Sequence, residues 1–398
     1  MNGARRLALR RAREARAPAV LQGGFRPFFL VGTLWFLGAM ALWLAMLAGV
    51  VQLPSHFPPV AWHRHELIFG GVGAAMAGYL LTATPNWSGR LPAIGMPLLA
   101  MVLWWALARL INAVGSGLWE TPWPAALIDT SFFLALAAVC GRESWNGKGR
   151  GGTNAIVVGL FAASCLADHY AAAGALPDLV GVQRMGIALL VLLISIIGGK
   201  LVPSFTRNVL PRATGRTITA QQTRFDDAVH LITAAACLLW VADAGVLARV
   251  MLGLASAVHL VRAVRWQPYR VWHEPSVLAL HISYLWLPIG LLALTTADTG
   301  DESNVIHLLT AGAISCMILA VMARMSIAQT GRQAPWRPAA LVAVLLTSAG
   351  AAVRVLAGTN IVPVGEAWRL AGGLWMLGFA LFLFCFAPML LRRRAKQR

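Results

Sequence analysis

The chain has 398 residues, 58% of them hydrophobic and only 12% charged, with a formal net charge of +18. A water-soluble domain of that length cannot hide so much apolar surface, so a soluble fold is excluded. The positive charge is nearly all arginine, and no basic helix or aromatic-basic module stands apart, so nucleic acid is not an expected partner.

The apolar residues come in blocks of the length that crosses a bilayer as helix. A membrane β-barrel needs roughly ten-residue alternating strands, and no such alternation occurs. The expected fold is all-α, a polytopic membrane helix bundle of about twelve transmembrane helices. In chain order the spans are predicted at Phe28–Val50, Leu67–Thr84, Pro92–Val114, Pro122–Gly141, Asn154–Ala173 and Leu179–Val202. The second six are Asp226–Val241, Gly245–Val264, Pro275–Ala297, Asn304–Ser326, Trp336–Ala357 and Glu366–Leu391. A basic arm over 1–24 precedes this membrane domain of 25–391, and a basic tail of 392–398 follows it. No small-residue cleavage site follows the first span, which is expected to be retained.

The loops support this count. With the arginine-rich N-terminus inside, one set of loops carries Arg90, then Arg142, Lys148 and Arg150, then Arg207, Arg212, Arg216 and Arg224. The same side holds Arg265, Arg270, Arg332, Arg337 and the tail. The opposite loops carry Glu120, Asp178, Asp243, Asp298, Asp301 and Glu302. This is the positive-inside asymmetry, and it places both termini in the cytoplasm, with the lipid bilayer as the main partner.

Chemistry concentrates at Trp62-His63-Arg64-His65-Glu66, where polar residues run straight into an apolar span. Ionisable groups at the hydrocarbon core are costly and mark function by default. Two imidazoles beside a carboxylate suit a transition metal. Residues two apart do not share a helix face. Pro58, Pro59 and Trp62 therefore suggest a loop entering the helix, where the two rings converge or serve two centres. His281 lies deep in the ninth span, where a buried imidazole needs a partner or a metal. His307 opens the tenth span on the side of His63 and His65, as do His56 and His169. His230, His259 and His273 fall at the other lip. Arg109, Arg184, Arg249, Arg354 and Arg369 lie in outer thirds of spans, placed to pair with carboxylates or to snorkel. Asp129 is a membrane carboxylate suited to proton relay or to bonding a neighbouring helix.

Five scattered cysteines (Cys140, Cys165, Cys237, Cys316, Cys385) form no CxxC and read as small buried hydrophobes. P-loop, dinucleotide, HExxH and GxSxG motifs are absent. No internal repeat is evident to simple inspection. From the residues alone, the alternative to a metal protein is a metal-free secondary transporter whose membrane histidines relay protons.

Several segments in order carry a resemblance. They are Gly24-Phe25-Arg26-Pro27-Phe28-Phe29-Leu30, Trp62-His63-Arg64-His65-Glu66, and Leu80-Leu81-Thr82-Ala83-Thr84-Pro85-Asn86-Trp87-Ser88-Gly89-Arg90. They continue with Gly198-Gly199-Lys200-Leu201-Val202-Pro203-Ser204-Phe205-Thr206-Arg207-Asn208, His281-Ile282-Ser283-Tyr284-Leu285-Trp286, His307-Leu308-Leu309-Thr310-Ala311-Gly312 and Thr330-Gly331-Arg332. With these the chain resembles the NnrS family of bacterial membrane proteins. The resemblance implies twelve spans in the bacterial inner membrane, bound haem b, copper, and a role in handling nitric oxide or nitrosative stress. It implies His63, His65, His281 and His307 as metal ligands, and Arg26, Asn86, Lys200 and Arg324 as motif residues at the cofactor. Two positions depart from the pattern. Gln329 stands where relatives carry histidine, which puts one metal centre in question. Lys200 stands where they carry arginine, keeping the charge without the planar fork.

Overall fold

The computed structural model describes residues 3–88, 91–145, 152–175, 180–210, 223–297, 301–334, 336–359 and 361–395. Among them there is no strand, and the fold is all-α. Eleven helical stretches are long and apolar enough to cross a membrane. The seventh expected span is also a helix, Arg224–Val241 (labelled α10 below). It is short and opens on the charged residues Arg224, Asp226 and Asp227. Arg90, Lys148, Arg150, Arg212, Arg216, Asp178 and Asp298 lie outside the described residues.

The chain divides into two compact units. The first comprises Met1–Val182, Met325–Gln333 and Phe386–Arg398, and the second Gln183–Arg324 and Ala334–Cys385.

In the first unit the basic arm forms α1 (Gly3–Arg16), and α2 (Phe25–Leu47) is the first span. Next come α3 (Pro59–His65), a π-helical turn over Glu66–Val72, and α4 (Gly73–Ser88), which together make one long span. Pro59 sits in the first turn of α3, where its missing N–H costs nothing and its fixed φ suits the helix. The chain is thus already helical before His63, and the expected loop entry is a helix start. α5 (Met96–Val114), α6 (Trp123–Trp145) and α7 (Gly152–Ala172) complete the main spans. α2 packs on α4 and on the π turn. This approach needs Gly71, since a Cβ there would clash with the Phe36 ring.

The second unit holds α8 (Val180–Leu193) from Gln183 onward, a π turn over Ile194–Gly198 and α9 (Gly199–Val209). Then come α10, whose Thr223 and Asp226 form a capping box, α11 (Gly245–Arg265) and α12 (Pro275–Thr296). The third π turn, Leu308–Ser315, joins α13 (Glu302–His307) to α14 (Cys316–Thr330). α15 (Ala339–Leu356) and α16 (Val364–Leu391) close the chain, and α14 and α16 contribute their last residues to the first unit.

A π turn shifts the helical register and frees a backbone carbonyl, which costs about 1–3 kcal/mol if buried unpaired. Each of the three carries a side-chain donor on a carbonyl. Trp105 Nε1 donates to Gly70 O at 3.0 Å, Arg262 NH1 to Ser195 O at 2.8 Å, and Ser315 Oγ to Thr310 O at 2.8 Å.

Candidate metal centre

The first unit buries an ionic network around His65, which is fully enclosed. α3 delivers Arg64 and His65, the π turn Glu66, α5 Arg109 and Asn112, α6 Asp129, and α7 Cys165, Asp168 and His169. His65 Nδ1 lies 2.8 Å from Asp168 Oδ2, and Nε2 lies 2.7 Å from Asp129 Oδ2. Arg64 pairs with the other oxygen of Asp168. Arg109 pairs with Asp129 Oδ1 and with Glu66 Oε2, the latter at 2.9 Å. Asn112 Nδ2 donates to Glu66 Oε1 and to Asp129 Oδ2, each at 3.0 Å. His169 Nε2 is 3.4 Å from Asp129 Oδ2. The Phe57 ring packs against both imidazoles, with centroids 4.3 Å from His65 and 4.9 Å from His169.

Taking a charge out of water costs several kcal/mol, so this density of buried ions requires every member to be answered. The arrangement does so by alternating sign: Arg64, Asp168, His65, Asp129, Arg109, Glu66. One group of metal-binding type occurs among the described residues. The ligand atoms of His65, Asp129, Cys165 and His169 all lie within 4.8 Å of one another.

His63 and His65 do not converge. His63 stacks on Trp43 at 4.5 Å and 18°, while His65 turns into the network. His281, in the second unit, has Nε2 2.8 Å from Thr206 Oγ1. That hydroxyl donates to Val202 O at 2.8 Å, so His281 Nε2–H is the donor and iron cannot take this nitrogen without breaking the bond. His307 is set differently. Its Nδ1 donates to Ser303 O at 2.7 Å, which leaves the Nε2 lone pair as the coordinating position. His281 and His307 therefore have separate partners.

The four motif residues also separate. Arg26 is buried and donates to the carbonyls of Leu390 at 2.8 Å and Arg392 at 2.6 Å, capping the C-terminal end of α16. Asn86 stands near the end of α4, and its side chain is outside the described residues. Lys200 is exposed at the start of α9. Arg324 donates to Ser276 Oγ at 3.2 Å and lies over the Phe205 ring.

Sequence reasoning singled out His65, Asp129 and Arg109 individually, but not their convergence. In the sequence Cys165 reads as a small buried hydrophobe, and His169 falls on the side of His65 without being named a ligand. The available signal was their spacing of four, which puts both on one helix face. Among the arginines of the outer thirds, Arg184 bonds Glu302 and Asp243, and Arg354 bonds Asn304 Oδ1 at 2.6 Å.

The second unit holds a hydrogen-bonded chain that the sequence did not announce. Thr233 Oγ1 donates to Val229 O at 2.6 Å and so accepts from His259 Nε2 at 2.9 Å. His259 Nδ1 is then the acceptor for the Tyr284 hydroxyl at 2.7 Å. Arg262 NH1 donates to the same phenol oxygen at 3.4 Å, and its Nε to Asp226 Oδ1 at 2.8 Å.

A family model described as NnrS protein matches residues 19–394, nearly the whole chain. The comparison with curated proteins gives no match.

Proposed function

Because the chain belongs to the NnrS family, we propose that it is a haem- and copper-binding protein of the bacterial inner membrane that handles nitric oxide, with both termini cytoplasmic. One observation carries this reading. Membrane-spanning helices hold imidazoles whose one ring nitrogen is already committed, which leaves the other for a metal. His307 donates from Nδ1 to a backbone carbonyl, which leaves Nε2, and His281 is committed at Nε2 to Thr206, which leaves Nδ1; His65 has both nitrogens engaged, by Asp168 and Asp129. A hydrogen bond of that kind fixes ring tautomer and aim, as it does behind metal-bound histidines generally.

The residues fit a metal better in some places than others. His307 would hold haem iron through Nε2. Arg354, on α15, is a nearby partner of α13 through Asn304 and suits a propionate carboxylate. His281 would bind through Nδ1, with Nε2–H kept on Thr206. Haem iron supplies a site for a neutral diatomic gas, and an apolar membrane interior admits such a gas while excluding ions. The chain's own part is to hold imidazoles rigid and to keep water from them.

The test is a visible spectrum and metal analysis of protein grown with haem and copper and purified in mild detergent. A Soret band that shifts on adding nitric oxide is expected. Folded but colourless protein without bound metal overturns the reading and favours a proton-relaying transporter.

A further inference from the structure

We infer that His65, Asp129, Cys165 and His169 bind a single late first-row transition-metal ion inside the first unit. The inference deepens the metal-binding reading above but does not depend on its haem part.

Three helices bring the four donors together. Cys165 and His169 stand one turn apart on α7, so both face the same way. Asp129 Oδ2 is the meeting point, 2.7 Å from His65 Nε2 and 3.4 Å from His169 Nε2. All four ligand atoms are mutually within 4.8 Å. A tetrahedral ion with bonds of ~2.0–2.3 Å holds its donors ~3.3–3.8 Å apart, so side-chain adjustments of about 1 Å complete the shell. The ion replaces the hydrogen bond between His65 Nε2 and Asp129, so two protons are released on binding, one from His65 Nε2 and one from the Cys165 thiol.

The surroundings are those of a supported site. Asp168 orients His65 through Nδ1, and Arg64 holds Asp168 in turn. Arg109 and Asn112 fix the Asp129 carboxylate. These outer contacts set ligand direction, which is where metal sites gain affinity. The charges also leave room for a cation. Without an ion, three enclosed carboxylates (Glu66, Asp129, Asp168) are balanced by Arg64, Arg109 and the His65 imidazolium; the two protons lost from His65 and Cys165 on binding offset the two charges of the ion. Two imidazoles, a thiolate and one carboxylate select zinc, copper or iron(II) over magnesium or calcium.

The experiment is a cobalt(II) titration of the full chain in detergent after chelator treatment, with the haem spectrum read on the same preparation. One cobalt per chain with a thiolate-to-cobalt charge-transfer band in the near ultraviolet is expected. Cys165→Ser abolishes that band, and Cys237→Ser leaves it. Asp168→Asn, which changes a positioning residue, keeps the band but weakens binding roughly 10–100-fold. Folded wild-type protein that gives no cobalt band overturns the site, as does a band that survives Cys165→Ser. The wild-type titration decides even if a variant fails to fold. Haem without cobalt sinks this site alone, and cobalt without haem sinks the haem reading alone.

Discussion

The two units solve the same problem in opposite ways. Each buries an arginine, histidines and a π turn among apolar helices. In the first unit the enclosed histidine stands between two carboxylates, His65 between Asp129 and Asp168. In the second, His259 stands between two hydroxyls, Thr233 and Tyr284. Hydroxyls fix the tautomer of a neutral ring and leave no charge to balance. Carboxylates gather charge and turn several donors toward one point. The second arrangement is sufficient to hold helices together. The first exceeds what packing needs, since burying that many ions is costly. Excess of this sort is the physical mark of a site.

The contrast is tested most severely at the two arginines, beginning with Arg109. It answers two carboxylates, both fully enclosed. Arg109→Ala leaves them uncompensated and is expected to lower stability by about 3–5 kcal/mol. Thermal melting in detergent measures it. An unchanged melting curve would break the claim that the network is tightly coupled.

The next largest effect separates two neighbouring histidines. His65→Ala removes a ligand and is expected to weaken cobalt binding by about 100-fold, the scale of roughly 2.7 kcal/mol. His63→Ala, which loses a stack on Trp43 and removes none of the four donors, leaves the titration where it was. Equal losses in both variants would mean that the two rings serve one centre after all.

How much of this was legible beforehand follows from the range of each interaction. Spans are local, so their apolar lengths show in the sequence, and even the short seventh one was placed at its helix. His65 was legible because His63-Arg64-His65-Glu66 breaks into an oily run. Asp129 and Arg109 were each visible as oddities, but their ion pair joins α5 to α6 and leaves no local trace. Arg26 illustrates the opposite limit. Its motif suggested a cofactor, while its side chain caps a helix more than 360 residues away. The π turns have no period to announce them. A weak echo did exist between the units. His65 and His307 each directly precede a π turn, and each stands five residues before a glycine covered by a tryptophan, Trp35 over Gly70 and Trp286 over Gly312. Only the fold reveals that covering.

Arg262 offers the matched comparison to Arg109. Its acidic partner, Asp226, is buried but keeps two bonds to Thr223 at 2.9 and 2.8 Å. Arg262→Ala therefore leaves that carboxylate bonded. The expected cost is about 1.5–3 kcal/mol, that of hydrogen bonds to a charged group. The same melting experiment ranks it below Arg109→Ala, and the cobalt band is unchanged. A larger loss than at Arg109 would reverse the order of the two units.

The smallest effect is expected at Tyr284→Phe. It removes one hydroxyl and keeps the ring that packs on Trp266 at 4.5 Å. His259 retains its bond to Thr233, and Arg262 retains Asp226 and the Ser195 carbonyl. One buried acceptor, His259 Nδ1, loses its donor, which costs about 1–3 kcal/mol, with the low end expected because both neighbours of the hydroxyl, His259 and Arg262, keep other bonds. Haem and cobalt content should both match the parent protein. A Tyr284→Phe protein that folds normally but loses either metal would show that the hydroxyl-paired chain of the second unit also serves a cofactor, and the distinction between the two units would fail.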